Sequence, residues 1–293
     1  MVGRGVSGRK VEAAAIALVL SLVAAACLLP IVYELSLSLS SNEAVLSRRV
    51  GLIPVEPSLG SYREILKDGS VMRALGFSAL LTTVFTAAAM GLTTALAYPL
   101  TRSELRGRGL FTTLIVVTMY FSGGVLPLYI LVKSLGLMNT MWALILPVAI
   151  SPFNVIIMRT SISSIPESLT ESALIDGASY FAILRRVILP LSLPIIATLS
   201  LFYAVYRWNT FQDALYYITK TGMATLQLKL SAIVMNNTQP EVFMNEGAES
   251  RVSVVPAALT AATVMVATLP ILCVYPWLQR WFIKGVMVGS VKE

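Results

Sequence analysis

The chain has 293 residues, of which 56% are hydrophobic and only 13% charged, with a formal net charge of +7. A soluble domain carries about 25% charged residues, so this composition excludes a chain whose whole surface faces water. Two cysteines, Cys27 and Cys273, and no histidine exclude a disulfide framework and weigh against zinc or haem, so no metal site is expected.

Six stretches lack Asp, Glu, Lys and Arg altogether: 13–33, 74–101, 109–132, 134–158, 187–206 and 252–279. Crossing the hydrocarbon core takes about 20 apolar residues in a helix, and each stretch is long enough. A soluble core helix of that length would show a polar face. Backbone groups in lipid need partners within their own segment, and these continuous runs do not alternate as barrel strands do. The expectation is an all-α polytopic membrane protein, a single transmembrane domain over 1–293 with six transmembrane helices.

In chain order, the first span covers about 11–33. Arg9-Lys10, an apolar run and Ala24-Ala25-Ala26-Cys27 imitate a lipoprotein signal, but the run continues past Cys27 to Tyr33 and reads as an uncleaved span. A long loop follows, with turn signals at Pro54, Pro57 and Gly60 and an amphipathic piece at 62–66. Span 2 covers about 74–98 and ends at Pro99, and the basic loop 102–108 leads to span 3, about 110–132. A tight turn at 133–139 precedes span 4, about 140–158. The segment 159–189 is polar and structured, span 5 covers about 190–211, a polar loop fills 212–255, span 6 covers about 256–279, and a basic tail spans 280–293.

Of the 22 basic residues, 12 fall in 1–10, 102–108, 159–186 and the stretch after 279. Short basic loops stay on the cytoplasmic side, so both termini and the 159–189 segment are expected there, in a bacterial inner membrane. The same distribution accounts for the net charge without nucleic acid. A P-loop is missing too: Gly3 to Gly8 followed by Arg9-Lys10 lacks the Gly-Lys-Ser/Thr core. No cofactor is expected on this chain, and any ATP and Mg would sit on partner subunits.

Within 159–189, Ser164-Ile165-Pro166-Glu167 reads as a helix start, with Ser164 accepting from a backbone amide and Glu167 closing a capping box. Gly177 is a plausible stop. The helix predicted between them, about 165–176, is too short and polar to span. Glu171-Ser172-Ala173, then Gly177, then Val187-Ile188-Leu189-Pro190 resembles the EAA loop of bacterial ABC importer permeases. The spacing matches that signature throughout, with Ser172 and Val187 as small departures. Asp176-Gly177-Ala178 is similar to the sugar-importing branch. Further resemblance to the carbohydrate-uptake branch, specifically its lipo-oligosaccharide and alginate-type permeases, lies in Phe121-Ser122-Gly123-Gly124 with Pro127, in 133–137 with Asn139-Thr140, in Phe202-Tyr203-Ala204-Val205 with Trp208-Asn209, and in 284–292.

The resemblance implies a type I ABC importer permease fold (MetI-like), a second, distinct permease as partner, two ATP-binding subunits, a periplasmic solute-binding protein and an oligosaccharide substrate moved by alternating access. It implies that Glu171, Ser172, Ala173, Asp176, Gly177 and Ala178 form the helix that couples to the ATPase. The residue types agree: an acidic helix with small side chains suits a protein groove better than a lipid surface, where Lys and Arg would face bulky apolars.

Candidate path residues gather at the end of span 5: Tyr203, Tyr206, Arg207, Trp208, Asn209 and Gln212. Aromatic faces and amides suit a sugar, the first against ring C–H groups and the second toward hydroxyls. The competing use is an aromatic belt at the membrane interface. Arg207 and Asn209 are costly in lipid and should face protein or water. An Arg207 facing the path would favour an anionic chain such as a uronate. Gly123-Gly124 in span 3 fits either a broken helix that exposes backbone to substrate or close helix packing. Asn154 fits either the path or a helix-to-helix hydrogen bond. An ion-driven secondary transporter is disfavoured, because no Asp or Glu falls mid-span.

Overall fold

In the computed structural model, residues 6–238 and 255–290 are described, and among them there is no strand. Arg4, the 239–254 part of the predicted polar loop, and Lys292 lie outside the described residues. The helices in order are α1 (Val6–Ser38), α2 (Asn42–Leu46), α3 (Gly60–Asp68), α4 (Ser70–Ala97), α5 (Arg108–Tyr120), α6 (Val125–Ser134), α7 (Met141–Ile145) and α8 (Pro152–Ser163). They continue with α9 (Glu167–Ile175), α10 (Tyr180–Ile183), α11 (Leu189–Leu191), α12 (Leu193–Asn209), α13 (Gln212–Tyr217), α14 (Leu226–Thr238) and α15 (Pro256–Ser290). The helix of span 6 runs on through the basic stretch after 279 to Ser290.

Among the described residues, three helices are long and apolar enough to cross a membrane unaided: Glu12–Ser38, Ser70–Thr101 and Pro256–Cys273. Three bent pairs pass only together: Arg108–Tyr120 with Val125–Ser134 at 117°, Met141–Val148 with Pro152–Ser163 at 57°, and Tyr180–Leu191 with Leu193–Asn209 at 81°. Each bend falls where the chain cannot continue an α-helix. Between α5 and α6 stand Gly123 and Gly124, the latter at φ +84°, a region that side chains with a Cβ rarely enter. Pro152 begins α8, and Pro190 and Pro194 flank Ser192 at the third bend; proline removes an amide donor and crowds the preceding turn.

The described residues of 1–72 and 232–268 form one compact unit, and those of 73–231 and 269–290 another. In the first, residues 12–33 of α1 are exposed on all sides, as expected of an apolar helix meant for lipid or a partner. Its lower part closes on polar groups: Ser40 Oγ donates to Ser36 O at 2.7 Å and accepts from Val55 N at 3.1 Å. Val45 and Ala258 make a small core with Leu37, Val50 and Leu259. In the second unit, Leu81, Phe85 and Ala89 of α4 pack with Leu144, Met158, Ile183, Ile188 and Leu199. The predicted tight turn at 133–139 ends in Asn139, at φ +60°, whose Oδ1 accepts from Thr219 N at 2.6 Å, Thr219 Oγ1 at 3.0 Å and Lys220 N at 3.0 Å.

Candidate functional site

The α9 segment is built from its ends inward. Ser164 is not its cap, contrary to the sequence expectation: it closes α8, and its hydroxyl donates to Ser161 O at 2.7 Å. Pro166 takes the N-cap position and places Glu167 in the first turn, where a carboxylate meets the positive end of the helix dipole. The physical reason is that the residue before a proline is driven out of the helical region, so the helix cannot include Ile165. Gly177 ends the helix at φ +78°, with Ala178 N donating to Ala173 O at 2.9 Å and Gly177 N to Leu174 O at 3.0 Å. Those two bonds are a Schellman motif, which turns the chain sharply and satisfies two end carbonyls.

One face of this helix is tied down and the other is bare. Thr170 is buried, and Ala173 and Ala178 pack against the core of their unit. Glu171, Ser172 and Asp176 are exposed, Ser172 turning its hydroxyl back onto Ser168 O at 2.8 Å. Beside them Ile175 is 87% exposed and Phe181 72% exposed. Neither apolar residue stands out in the sequence, because a bulky residue in a short polar helix gives no periodic signal.

A second site is a cleft of about 430 Å³ where the break between α7 and α8 faces α12. Its walls include Ile150, Ser151, Phe153, Asn154, Phe202 and Tyr206. Tyr203 closes its base: it is buried, its hydroxyl oxygen accepts from Ser151 N at 3.1 Å, and it bonds Thr93 Oγ1 at 2.7 Å. Since the oxygen accepts from the Ser151 amide, the phenolic hydrogen is free to go to Thr93. Phe85 meets Tyr203 edge-on at 5.8 Å between centroids. The cleft therefore offers aromatic faces, one amide side chain and backbone groups released at a helix break.

Of the residues chosen from sequence, Asn154, Tyr203 and Tyr206 come together here. Arg207 does not line the cleft. Its side chain has no exposed surface and forms a two-pronged ion pair with Asp213, Nη2 to Oδ1 at 2.8 Å and Nη1 to Oδ2. Nη1 also donates to Leu144 O at 2.9 Å, Nη2 to Thr210 O at 3.1 Å, and Phe85 lies 5.9 Å from the guanidinium carbon. Leu144 stands just before the 3-10 turn Leu146–Val148, where α7 carbonyls lose their helical donors. Trp208 is half-buried away from the cleft wall, Asn209 donates to Val205 O of its own helix at 2.8 Å, and Gln212 is exposed. Gly123 and Gly124 are exposed at the α5–α6 break and do not line this cleft. Among the described residues no group of three His, Cys, Asp or Glu could hold a metal ion.

Among the described residues, broken apolar helix pairs, an aromatic cleft at one break and a bare short helix on a polar loop fit a membrane permease. Residues 90–288 match the family described as binding-protein-dependent transport system inner membrane component. The chain is 42% identical over 267 residues to the polygalacturonan/rhamnogalacturonan transport system permease protein YtcP of Bacillus subtilis, covering 91% of this chain and 93% of that one. It is 40% identical over 271 residues to Protein LplC of the same organism, covering 92% and 91%. Among solved structures it resembles a chain of a bacterial ABC transporter involved in the import of the acidic polysaccharide alginate. The TM-score is 0.86 and the identity 27%, over 96% of this chain and 100% of that one. The chain belongs to the binding-protein-dependent transport permease family, and it is a transport subunit of an ABC importer rather than an enzyme.

Proposed function

We propose that this chain is the membrane-spanning permease of an ATP-driven oligosaccharide importer, crossing the membrane six times with both termini in the cytoplasm. Two ATP-binding subunits carry the ATP and Mg, a second permease completes the pathway, and a periplasmic solute-binding protein delivers substrate. The observation that carries this reading is the α9 helix: anchored on one side through Thr170, Ala173 and Ala178, it leaves Glu171, Asp176 and an 87% exposed Ile175 for another protein. A bulky apolar side chain so bare on a polar segment is an anchor awaiting a pocket.

The cleft supports a carbohydrate. Phe153, Phe202 and Tyr206 offer flat apolar faces to sugar rings, and Asn154 can both donate to and accept from hydroxyls. An acidic saccharide is supported by the relatives named for polygalacturonan and alginate. It is not supported by Arg207, whose charge is spent on Asp213. The cleft walls carry no cation, which favours as second reading a neutral oligosaccharide, as for the melibiose/raffinose/stachyose import permease MelC of Bacillus subtilis at 29% identity. Movement between Tyr203 and the Ser151 amide would open or close the cleft in an alternating-access cycle. The test is ATP hydrolysis by the purified complex with galacturonate oligomers and with raffinose. Stimulation by the uronates that disappears in Ile175→Asp, with the subunits still expressed, is expected; no response to either sugar would sink the reading, and a response to raffinose alone would select the second.

A further inference from the structure

Where α4 ends, the Pro99–Thr101 turn packs against both α5 and α8, and α5 packs against α8. This junction gathers three arginines, each half-buried: Arg102 just after the turn, Arg108 at the start of α5 and Arg159 near the end of α8. The guanidinium of Arg102 lies 4.7 Å from the Tyr98 ring centroid, and its Nε is buried without a hydrogen bond. Arg159 Nη1 donates to Thr112 Oγ1 at 3.4 Å, and that hydroxyl donates to Arg108 O at 2.8 Å, which sets Arg159 beside the first turn of α5. Among the described residues none of the three forms an ion pair, and Glu104, exposed on the intervening loop, pairs with none of them.

Three positive charges at one junction, half-buried and paired with no carboxylate among the described residues, suit an anion from outside the chain. The surroundings specify which. The helix that begins at Arg108 continues with Leu110, Phe111 and Leu114, all exposed, so charge and bare apolar surface follow each other along one helix. That sequence matches a lipid: a phosphate oxygen set that guanidinium groups bind in pairs, and hydrocarbon directly beyond it. An acidic protein patch would supply the charge but leave the apolar stretch uncovered. We propose that Arg102, Arg108 and Arg159 bind the phosphate of an anionic phospholipid whose acyl chains lie along Leu110, Phe111 and Leu114.

The site is independent of the transported solute and is tested on the full chain without substrate. Native mass spectrometry of the detergent-purified protein would compare retention of phosphatidylglycerol and phosphatidylcholine with identical acyl chains. Retention of the anionic lipid should exceed that of the zwitterionic one by at least roughly tenfold, since basic residues near a charged surface each favour the anionic headgroup. The double change Arg102→Gln/Arg159→Gln should bring it down to the phosphatidylcholine level. Arg102→Lys/Arg159→Lys, which keeps the charge, and Thr112→Val, which removes only the hydroxyl partner, should leave most of it. Equal retention of the two lipids, no change in the Gln pair, or displacement of the lipid by millimolar inorganic phosphate would each overturn the proposal. So would loss of the preference once the ATPase subunits are bound, which would assign the arginines to a protein partner. If the Gln pair does not fold, the wild-type comparison and the phosphate competition decide alone.

Discussion

The end of α12 and the α9 helix solve opposite problems with similar material. At the end of α12 most strong groups find partners inside the chain: the two terminal nitrogens of Arg207 on Asp213, Leu144 O and Thr210 O, though its Nε is buried unbonded, and Tyr203 on Ser151 and Thr93. On α9 the backbone is closed by the Gly177 turn, but among the described residues the exposed side chains of Glu171, Ile175 and Asp176 make no hydrogen bond or ion pair. The first region is a densely bonded network and holds shape; the second is shaped but bare, the face proposed for another subunit. The proposed function draws on both, a rigid frame around the cleft and a handle with free contacts.

The comparison breaks most severely if Asp213 is removed. Asp213→Ala leaves a guanidinium with no exposed surface uncompensated, a change that destabilises by about 3–5 kcal/mol in buried pairs, and the thermal midpoint in detergent should fall accordingly. Next comes Tyr203→Phe, which strands the Ser151 amide and the Thr93 hydroxyl for about 1–3 kcal/mol and should loosen the cleft without unfolding the chain. An unchanged exchange rate at the Ser151 amide would show that the tyrosine does not pin the break. On the α9 side, Gly177→Ala meets no neighbour within 4 Å, so its penalty is purely the φ of +78°, about 1–2 kcal/mol. Faster exchange at the Ala178 amide, with the global midpoint unmoved, is the expected sign.

The smallest effect is a pH response remote from both regions. Ser41 donates to the Glu56 carboxylate at 2.6 Å and Arg49 adds its charge, and together they hold the Glu56 pKa below the ordinary carboxylate value. With the folded pKa lowered, the stabilisation is fully present above about pH 4.3 and fades as pH falls through the folded value. Protection of the Ala44 and Val55 amides, taken relative to their intrinsic exchange rates, should therefore stay flat from neutral pH down to about 5 and fall only under stronger acid, a fall that Ser41→Ala should remove.

Much of the bundle is legible because lipid imposes a simple rule on sequence: charge-free runs mark apolar helices, and Gly124, Gly177, Pro152 and Pro190 mark where the backbone must turn or break. The magnitude of each bend is not in the sequence, since Gly-Gly and a Pro-flanked Ser192 carry no angle. The fate of Arg207 is hidden for a related reason. Its partner lies six residues on, beyond the end of α12, and only the extended Thr210 folds Asp213 back to meet it, a geometry no helical spacing rule describes. Ser164 misleads because a proline two residues later outweighs the capping pattern. Ile175 and Phe181 escape notice because their exposure depends on which face of α9 and α10 the core claims.

Between α10 and α11 the residues Leu184–Ile188 form a π-helix, one residue looser per turn than the α-helix around it. That surplus residue offsets the angular phase on its two sides by about 100°, so a helical wheel drawn straight through 180–191 assigns half the faces wrongly. Deleting a single residue from 184–188 would let the stretch relax to an ordinary helix and swing Phe181 around the axis, off the side where it now stands bare. At this point in the chain the number of residues, more than their identity, aims the handle.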